Sequence, residues 1–309
     1  MRRAAGVVLI AAAVVAMCPD FFSPYAPSAQ HRDFPYAAPG RYGDAAVAWL
    51  APGEPYRWLG LVPASRRLFT TRGGGGLFVL GTDEFGRDWY SRLCHGASVS
   101  LVVAPAAATL ALVLGVVLGA WAGYAGGWID ALVMRAGEVF LVLPWFYVVV
   151  ALRAALPLAA SGPATLFVLF AALAVLGCAT PARLFRTTIA SLRQREFVAA
   201  ARSAGASDLR IVRTHLLPFL AAAAWTQWLL TVPTYIVTEV TLSFLGVGAA
   251  EPTPTWGGML APLQQYVVLT SYPWMFAPAI AVILVCLALQ VVAGPGSRPG
   301  TCDLGLETI

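Results

Sequence analysis

The chain has 309 residues, of which 59% are hydrophobic and only 11% are charged, and its mean hydropathy is +0.74. A soluble domain usually carries about 25% charged residues, so the apolar excess indicates a protein embedded in lipid. The net charge of +5 comes from arginines scattered between long apolar runs, without a stacking platform of aromatic residues. This distribution argues against a nucleic-acid-binding protein.

Residue usage limits the chemistry that the chain can perform. All 20 basic residues are arginine, which excludes a Walker A phosphate-binding loop and a Schiff-base lysine. The cysteines and histidines are too scattered for zinc-ligand, CxxC or i,i+4 spacing, and no HExxH or Gly-x-Ser-x-Gly motif is present. We therefore expect no metal site and no catalytic residues. The scattered residues are Cys18, Cys94, Cys178, Cys286, Cys302, His31, His95 and His215.

Six apolar runs approach the length of about 20 residues that a helix needs to cross a bilayer. The pattern therefore predicts an all-α membrane protein with six transmembrane helices. In chain order the runs cover residues 4–18, 98–121, 131–152, 163–181, 216–238 and 271–293.

The first apolar run is short enough to be a signal peptide. However, Ala16-Met17-Cys18 before Pro19 form neither a small-x-small cleavage site nor a good lipobox. We favour a retained N-terminal anchor over residues 1–18, with cleavage as the alternative. Residues 19–97 mix Pro, Gly, Tyr, Asp and Arg without a long apolar run, and this composition predicts an aqueous segment.

Seven arginines between the fourth and fifth runs set the predicted orientation. The positive-inside rule places such a short, arginine-rich loop in the cytoplasm. We therefore predict that residues 183–217, both termini and the tail 294–309 are cytoplasmic. The segments 19–97, 153–162 and 239–270 then face the other side of the membrane. The seven residues are Arg183, Arg186, Arg193, Arg195, Arg202, Arg210 and Arg213.

Within this loop the sequence predicts two short helices joined at a glycine. The first covers 196–204, and Gly205 follows where a helix commonly ends in a left-handed residue. Ser207 and Asp208 are N-cap candidates for the second helix, 209–217, and Pro218 is expected to mark the turn into the fifth span. An ordinary basic surface loop is the alternative interpretation.

Three ionisable residues lie in or near the predicted spans. Arg135 and Glu138 have i,i+3 spacing and are expected to pair on one helix face. Glu239 ends the fifth span, where a charge is costly unless it faces protein or water. We favour packing or gating over proton transport for Glu239. Gly115 and Gly119 have the small-xxx-small spacing that allows close helix packing, in one chain or in a dimer.

The arginine-rich loop resembles the "EAA" loop of ABC importer permeases, whose pattern is E-A-A-x3-G-x9-I-x-L-P. Ala199 and His215 depart from the glutamate and isoleucine of this pattern, and the histidine is typical of the peptide-importer branch. In that family the loop docks on a separate ATPase subunit, so we call residues 183–217 the coupling loop. The resemblance implies docking roles for Ala199, Ala200, Ala201, Gly205, Ser207, Asp208, His215, Leu217 and Pro218.

A second block, 80–92, resembles the L-G-T-D-x-x-G-R-D-x-x-S-R signature of the "C" permease subunit in dipeptide and oligopeptide (nickel) importers. A helix-capping and ion-pair motif that fixes the second span is an equally good interpretation. Blocks 123–130, 238–248 and 256–260 also resemble this family, so the similarity covers residues 80 to about 293. The signature residues are Gly81, Thr82, Asp83, Gly86, Arg87 and Asp88.

The resemblance implies a type I ABC importer permease fold, with a permease core over residues 98–293. It implies a multi-pass protein of the bacterial inner (plasma) membrane that translocates di- or oligopeptides, or a related solute, by alternating access. The implied partners are a homologous second permease subunit, two ATPase subunits and an extracytoplasmic solute-binding protein. ATP and Mg would be bound by the ATPase subunits, and no cofactor is expected in this chain.

Two other classes remain as alternatives. An ion-coupled secondary transporter would need inverted repeats and broken helices around a midplane site, and no such repeat is visible. An intramembrane enzyme would need a catalytic motif within the spans. Within the resembling family, nickel chelates, glutathione and sugar-like solutes stay open beside peptides.

Overall fold

A computed structural model describes residues 1–58, 62–73, 75–156, 163–249 and 251–294. Most of this chain is helical, and all six strands lie between residues 40 and 78. Of the predicted tail 294–309, residues 295–309 lie outside the described residues. The helices are α1 Arg2–Met17, α2 Pro19–Phe22, α3 Trp89–Ala125, α4 Gly127–Val142, α5 Trp145–Ala155, α6 Pro163–Gly177, α7 Ala179–Leu192, α8 Glu196–Ser203, α9 Asp208–Arg210, α10 Leu217–Phe244, α11 Trp256–Leu260, α12 Tyr266–Ser271 and α13 Ala277–Ala293.

Among the described residues, four helical stretches are long and apolar enough to cross a membrane. A fifth span exists if the bent pair α4 and α5 is counted as one. Helix α1 has 16 residues, fewer than the roughly 20 that a spanning helix needs. A helical, multi-span membrane protein is therefore confirmed, whereas the count of six spans is not. The four stretches are Trp89–Ala125, Thr165–Leu192, Asp208–Phe244 and Pro273–Ala293.

The third predicted span, 131–152, is not one straight helix. Helices α4 and α5 meet at an angle of 80°. Leu143 is extended, with φ −63° and ψ 122°, and Pro144 follows it. Proline has no N–H for the helical ladder and disfavours a helical residue before it, so the helix breaks there. Counting apolar residues did not reveal this break.

The fourth span continues past its predicted end at residue 181. A helical stretch runs from Thr165 to Leu192, so Arg183 and Arg186 lie in α7 and not in a loop. The apolar residues of α7 fall on one face, where Phe185 and Ile189 are fully buried. Because this amphipathic helix buries its apolar face against protein, it can extend beyond the purely apolar run.

The predicted turn at Pro218 is also absent. Residues Ile211–Leu216 form a π-helical turn that joins α9 to α10, so Asp208–Phe244 is one helical stretch. Proline cannot donate to the carbonyl four residues earlier, and a π-turn is a common way to accommodate such a disruption. Pro218 therefore lies in the first turn of α10.

The aqueous segment contains β-structure, which corrects the all-α prediction. Its six strands form three nested antiparallel pairs, β1 with β6, β2 with β5 and β3 with β4. The strands have three to seven residues and are interrupted by Gly and Pro, so they produce no clear alternation. The strands are β1 Gly40–Tyr42, β2 Ala46–Trp49, β3 Pro52–Trp58, β4 Val62–Arg66, β5 Phe69–Arg72 and β6 Gly76–Phe78.

The chain divides into two compact units. The first contains Met1–Ala106, Val150–Phe170 and Pro233–Ala288. Its core includes Trp89 and Met259, with partly buried aromatic residues around them. Tyr36 of the aqueous segment stacks on Tyr272, with ring centroids 4.2 Å apart. The aqueous segment is thus packed onto the residues that precede α13.

The second unit contains Ala107–Val149 and Ala171–Val232, with the C-terminal residues from Leu289. Within it, one face of α3 packs closely against α7. A Cβ atom at Gly115 would lie 2.5 Å from Cγ of Pro181, and one at Gly123 would lie 2.5 Å from the Arg186 carbonyl oxygen. Gly119 is equally crowded by Ala182. The small-residue spacing therefore serves helix packing within this chain.

Candidate functional site

The coupling loop contains the predicted first helix and its glycine stop. Helix α8 runs over Glu196–Ser203, and Gly205 has φ +82°, so both predictions are confirmed. Val198 is buried, whereas Ala199 and Ala200 are exposed. The three alanines of the motif therefore do not all contribute to the core. Two of them lie on the surface of α8.

A polar cluster fixes the second half of the coupling loop to the end of α3. The Tyr124 hydroxyl donates to Asp208 Oδ1, and Arg202 Nη2 donates to the same hydroxyl at 3.0 Å. Ser207 occupies the N-cap position, but within the described residues its side chain makes no capping hydrogen bond. The Asp208 carboxylate binds Tyr124 instead of acting as a cap. Sequence reasoning included Tyr124 in a family block but missed this contact.

Apolar side chains surround the turn between α8 and α10. Ile211 and Leu216 are fully buried, and His215 and Leu217 are partly buried beside them. The rings of Phe197 and Phe219 stack with centroids 5.6 Å apart. Leu209, by contrast, has 76% of its surface exposed.

An ion pair that the sequence did not predict joins α4 to α7. Arg186 Nε donates to Asp130 Oδ1 at 2.8 Å, and Arg186 Nη2 donates to Asp130 Oδ2. This bidentate arrangement fixes the relative rotation of the two side chains as well as their separation. It connects the coupling loop's first helical residues to the span that follows α3. The sequence signal for this ion pair was that Asp130 belongs to the block 123–130, which resembles the family.

The signature block 80–92 folds into a tight turn around Asp83. Oδ1 of Asp83 accepts from the backbone N–H groups of Phe85 and Arg87, both at 2.9 Å, and Oδ2 accepts from Arg87 Nε at 2.6 Å. Gly81 and Gly86 lie in this turn with φ of +69° and +70°. The Thr82 hydroxyl accepts from the backbone N–H of residue 37 at 2.8 Å, which ties the turn to the aqueous segment.

Asp88 caps the N-terminus of α3. Its Oδ2 accepts from the backbone N–H of Ser91 at 2.8 Å and from the Ser91 hydroxyl at 2.6 Å. Burial raises the pKa of the Asp88 carboxyl to about 6, and the hydrogen bonds from Ser91 oppose that rise. This contact agrees with the capping interpretation of the block.

A third acidic residue, far along the chain, completes this group. Arg87 Nη1 donates to Glu251 Oε2 at 2.9 Å, and Arg92 Nη2 donates to Glu251 Oε1 at 2.7 Å. We call Asp83, Arg87, Asp88, Arg92 and Glu251 the charged cluster. Sequence reasoning missed Glu251 because it follows Arg87 by 164 residues, and spacing along the chain carries no signal at that distance.

The three predicted intramembrane ionisable residues have different surroundings. Arg135 and Glu138 are exposed on α4, and the described part of the chain contains no ion pair between them, so the predicted pair does not form. A pair with i,i+3 spacing contributes only a few tenths of a kcal/mol, about 0.2–0.5, too little to hold two solvated side chains together. Glu239 is fully buried inside α10, and its Oε1 accepts from the Ser243 hydroxyl at 2.7 Å.

These contacts are suited to holding and moving helices rather than to covalent chemistry. Within the described ranges, no three His, Cys, Asp or Glu side chains come together as a metal-ligating group. The cysteines that the structure describes are free thiols. The side chains of the charged cluster form ion pairs and a helix cap. The two candidate sites are therefore the exposed surface of the coupling loop and the charged cluster at the start of α3.

Comparisons with known proteins agree with this arrangement. A family model described as "Binding-protein-dependent transport system inner membrane component" matches residues 115–294. The dipeptide transport system permease protein DppC of Alkalihalophilus pseudofirmus is 38% identical over 219 residues, which cover 71% of this chain and 69% of that protein. The di/tripeptide transport system permease protein DppC of Pseudomonas aeruginosa is 34% identical over 254 residues, covering 81% and 80% respectively.

A third relative has a different named substrate. The glutathione transport system permease protein GsiD of Escherichia coli O6:K15:H31 is 36% identical over 218 residues, covering 71% of this chain and 69% of that protein. Among solved structures, an inward-facing form of the MetNI methionine ABC transporter is similar, with 16% identity and a TM-score of 0.48. That match covers 65% of this chain and 92% of the other chain.

The family model covers more than half of the chain, and the first two relatives share more than 30% identity over more than two thirds of it. The resemblance inferred from the coupling loop and the signature block is thereby confirmed. The chain belongs to the family of inner membrane components of binding-protein-dependent transport systems, as a permease subunit of an ATP-driven importer.

Proposed function

We propose that this permease translocates di- or oligopeptides, or a related small solute, by alternating access across the bacterial inner membrane. The observation that carries the proposal is the similarity to permeases named for dipeptides and for di- and tripeptides over more than two thirds of the chain. His215 of the coupling loop, typical of the peptide-importer branch, supports the same substrate class.

The coupling loop is proposed to dock on a separate ATPase subunit. The support is its surface: Ala199 and Ala200 are exposed on α8, and Leu209 extends an apolar side chain into solvent. The chain has no lysine for a Walker A loop, so the nucleotide and Mg are bound by the partner subunits. A homologous second permease subunit, a second ATPase copy and an extracytoplasmic solute-binding protein complete the proposed complex.

Helix α1 is proposed to be a retained sixth span with its N-terminus in the cytoplasm. Its end packs beside the start of α3, where the Ser98 hydroxyl donates to the Ala16 carbonyl at 2.6 Å. With this orientation the strands and the charged cluster face the extracytoplasmic side, and the coupling loop faces the cytoplasm.

Labelled dialanine uptake tests the proposal with paired variants of Gly205. A β-branched residue cannot adopt φ +82° without strain, whereas asparagine tolerates left-handed backbone. We expect Gly205→Val to abolish ATP-dependent uptake and Gly205→Asn to retain most of it. Both side chains face open space, because no other atom lies within 4 Å of a Cβ built at this position.

Two outcomes would contradict the proposed function. One is recovery of the tagged chain from native membranes without any ATPase subunit. The other is uptake that persists after ATP depletion but collapses with an uncoupler, as an ion-coupled transporter would behave. A further variant, Ala199→Glu, restores the family glutamate at an exposed position. We expect it to increase the amount of ATPase recovered with the tagged chain and to leave thermal stability unchanged.

A further inference from the structure

All members of the charged cluster except Asp88 line a cavity of about 520 Å³ within the first unit. Small-molecule sites in proteins usually have volumes of about 300–1,000 Å³, with apolar walls and a few convergent polar groups. This cavity has a suitable volume but a more polar lining, in which aromatic and aliphatic side chains stand beside two guanidinium groups and the carboxylates of Asp83, Glu84 and Glu251. Its walls include Phe85, Arg87, Trp89, Arg92, Glu251 and Met259.

The two arginines of this cavity and the glutamate that pairs with both of them differ in burial. The side chains of Arg92 and Arg87 are 2% and 11% exposed, whereas the side chain of Glu251 is 56% exposed. The guanidinium groups are therefore fixed in the wall of the cavity. Glu251 reaches them from the solvent side. A carboxylate with this much solvent contact is far easier to displace than either arginine.

Arg92 depends on Glu251 more than Arg87 does. Arg87 keeps a close contact with Asp83 at 2.6 Å, but the closest approach of Arg92 to Asp83 is 3.9 Å. Within the described residues, Nε of Arg92 has no hydrogen-bond acceptor. A buried guanidinium without a partner is costly. If Glu251 moved away, Arg92 would keep only the long contact from Nη1 to the Pro27 carbonyl, at 3.5 Å, and the 3.9 Å approach to Asp83, so a second carboxylate would be favoured in its place.

We propose that this cavity is a carboxylate-binding site on the transport path, and that Glu251 occupies it until the carboxylate of the solute takes its place. The inference rests on the proposed function, since it assigns the site to the transported peptide. Two neighbouring guanidinium groups match the planar, two-oxygen geometry of a carboxylate, as they already do with Glu251. Free peptides carry such a group at their C-terminus.

The cavity size favours a small solute over a partner protein as the source of the carboxylate. Phe85 lies against the Arg87 guanidinium, with 4.7 Å from Cζ to the ring centroid, and adds an apolar wall beside the charge.

The test measures binding of dialanine and of dialanine amide to the purified permease–ATPase complex by calorimetry, with the solute-binding protein left out. Glu251→Gln removes the competing charge while keeping the side-chain shape. We expect this variant to bind dialanine about tenfold more tightly than the native complex, a difference of about 1.4 kcal/mol, with no change for the amide. Glu84→Gln is the matched control, because Glu84 lines the same cavity but forms no ion pair within the described chain.

Several results would overturn the inference. The first is that Glu251→Gln binds dialanine and its amide with equal affinity. The second is that Glu84→Gln raises the affinity for dialanine as much as Glu251→Gln does. The third is that Glu251→Gln shows no measurable binding of dialanine. Arg92→Gln is expected to abolish dialanine binding, and its melting curve shows whether the complex remains folded. ATPase recovery and ATP-dependent uptake are measured on the same preparations. If these succeed while carboxylate selectivity fails, the cavity assignment is wrong and the proposed function stands.

Discussion

Replacement of Gly123 by alanine tests the close approach of α3 to α7. The added Cβ would lie 2.5 Å from the Arg186 carbonyl oxygen, and that oxygen belongs to the backbone of a helix. Ordinary contacts begin at about 3.5 Å, so the two helices must separate by about 1 Å. Overpacking of this kind costs about 1–3 kcal/mol, and the gain of up to about 1 kcal/mol from replacing glycine by alanine in a helix offsets part of it, which leaves a net cost of up to about 2 kcal/mol.

Thermal unfolding in detergent, followed by size-exclusion chromatography, measures the effect. In a domain of 150–250 residues each kcal/mol shifts Tm by about 2–4 °C, so a net cost of up to about 2 kcal/mol predicts that Gly123→Ala lowers Tm by up to about 8 °C. Gly137→Ala is the matched control, because its Cβ would meet only the Ala179 Cβ at an ordinary 3.6 Å. That variant should leave Tm unchanged or raise it slightly. A rise of Tm in both variants would show that α3 and α7 are not in close contact.

Three further predictions concern charged side chains. Asp130→Asn should lower stability by at most about 1 kcal/mol, because its partner Arg186 is partly exposed, and a double-mutant cycle with Arg186→Gln should give a positive coupling energy. Asp88 has a pKa of about 6 in the folded protein, against an ordinary value of 3.8, so its carboxyl binds a proton more tightly in the folded state than in the unfolded state. The free energy of unfolding should therefore fall as the pH rises from about 4 to 6. Asp88→Asn should flatten that part of the Tm–pH curve, and an unchanged slope would contradict the assignment. Glu239→Gln keeps the contact with Ser243 and should retain dialanine uptake, whereas loss of uptake with unchanged Tm would favour a proton-transfer role.

The membrane-spanning core could be predicted from sequence because the signal is long. Runs of about 20 apolar residues are rare outside membrane-spanning helices, and four of the six predicted runs coincide with long helices. Helix ends were less accurate. Pro144 breaks the third run and Pro218 does not break the fifth, since the effect of a proline depends on whether the backbone can form a π-turn or must bend.

In the candidate sites, contacts between neighbours in the chain could be predicted, whereas contacts between residues far apart in the chain could not. The turn around Asp83 and the cap by Asp88 use neighbours within four residues, so the motif itself implied them. Glu251 and the Tyr124–Asp208 contact join residues far apart in the chain, and no periodicity connects them. The strands were missed for a related reason. A strand of only three to seven residues is defined by the strand that it pairs with rather than by its own composition.

The nested pairing of the strands means that the polypeptide leaves and rejoins the rest of the protein at one place. Gly40 pairs with Phe78, so the 37 intervening residues begin and end side by side. A set of nested antiparallel strand pairs can lose or gain one pair without altering the distance between the two ends of the segment. The length of this strand-bearing segment can therefore change during evolution without altering the rest of the fold.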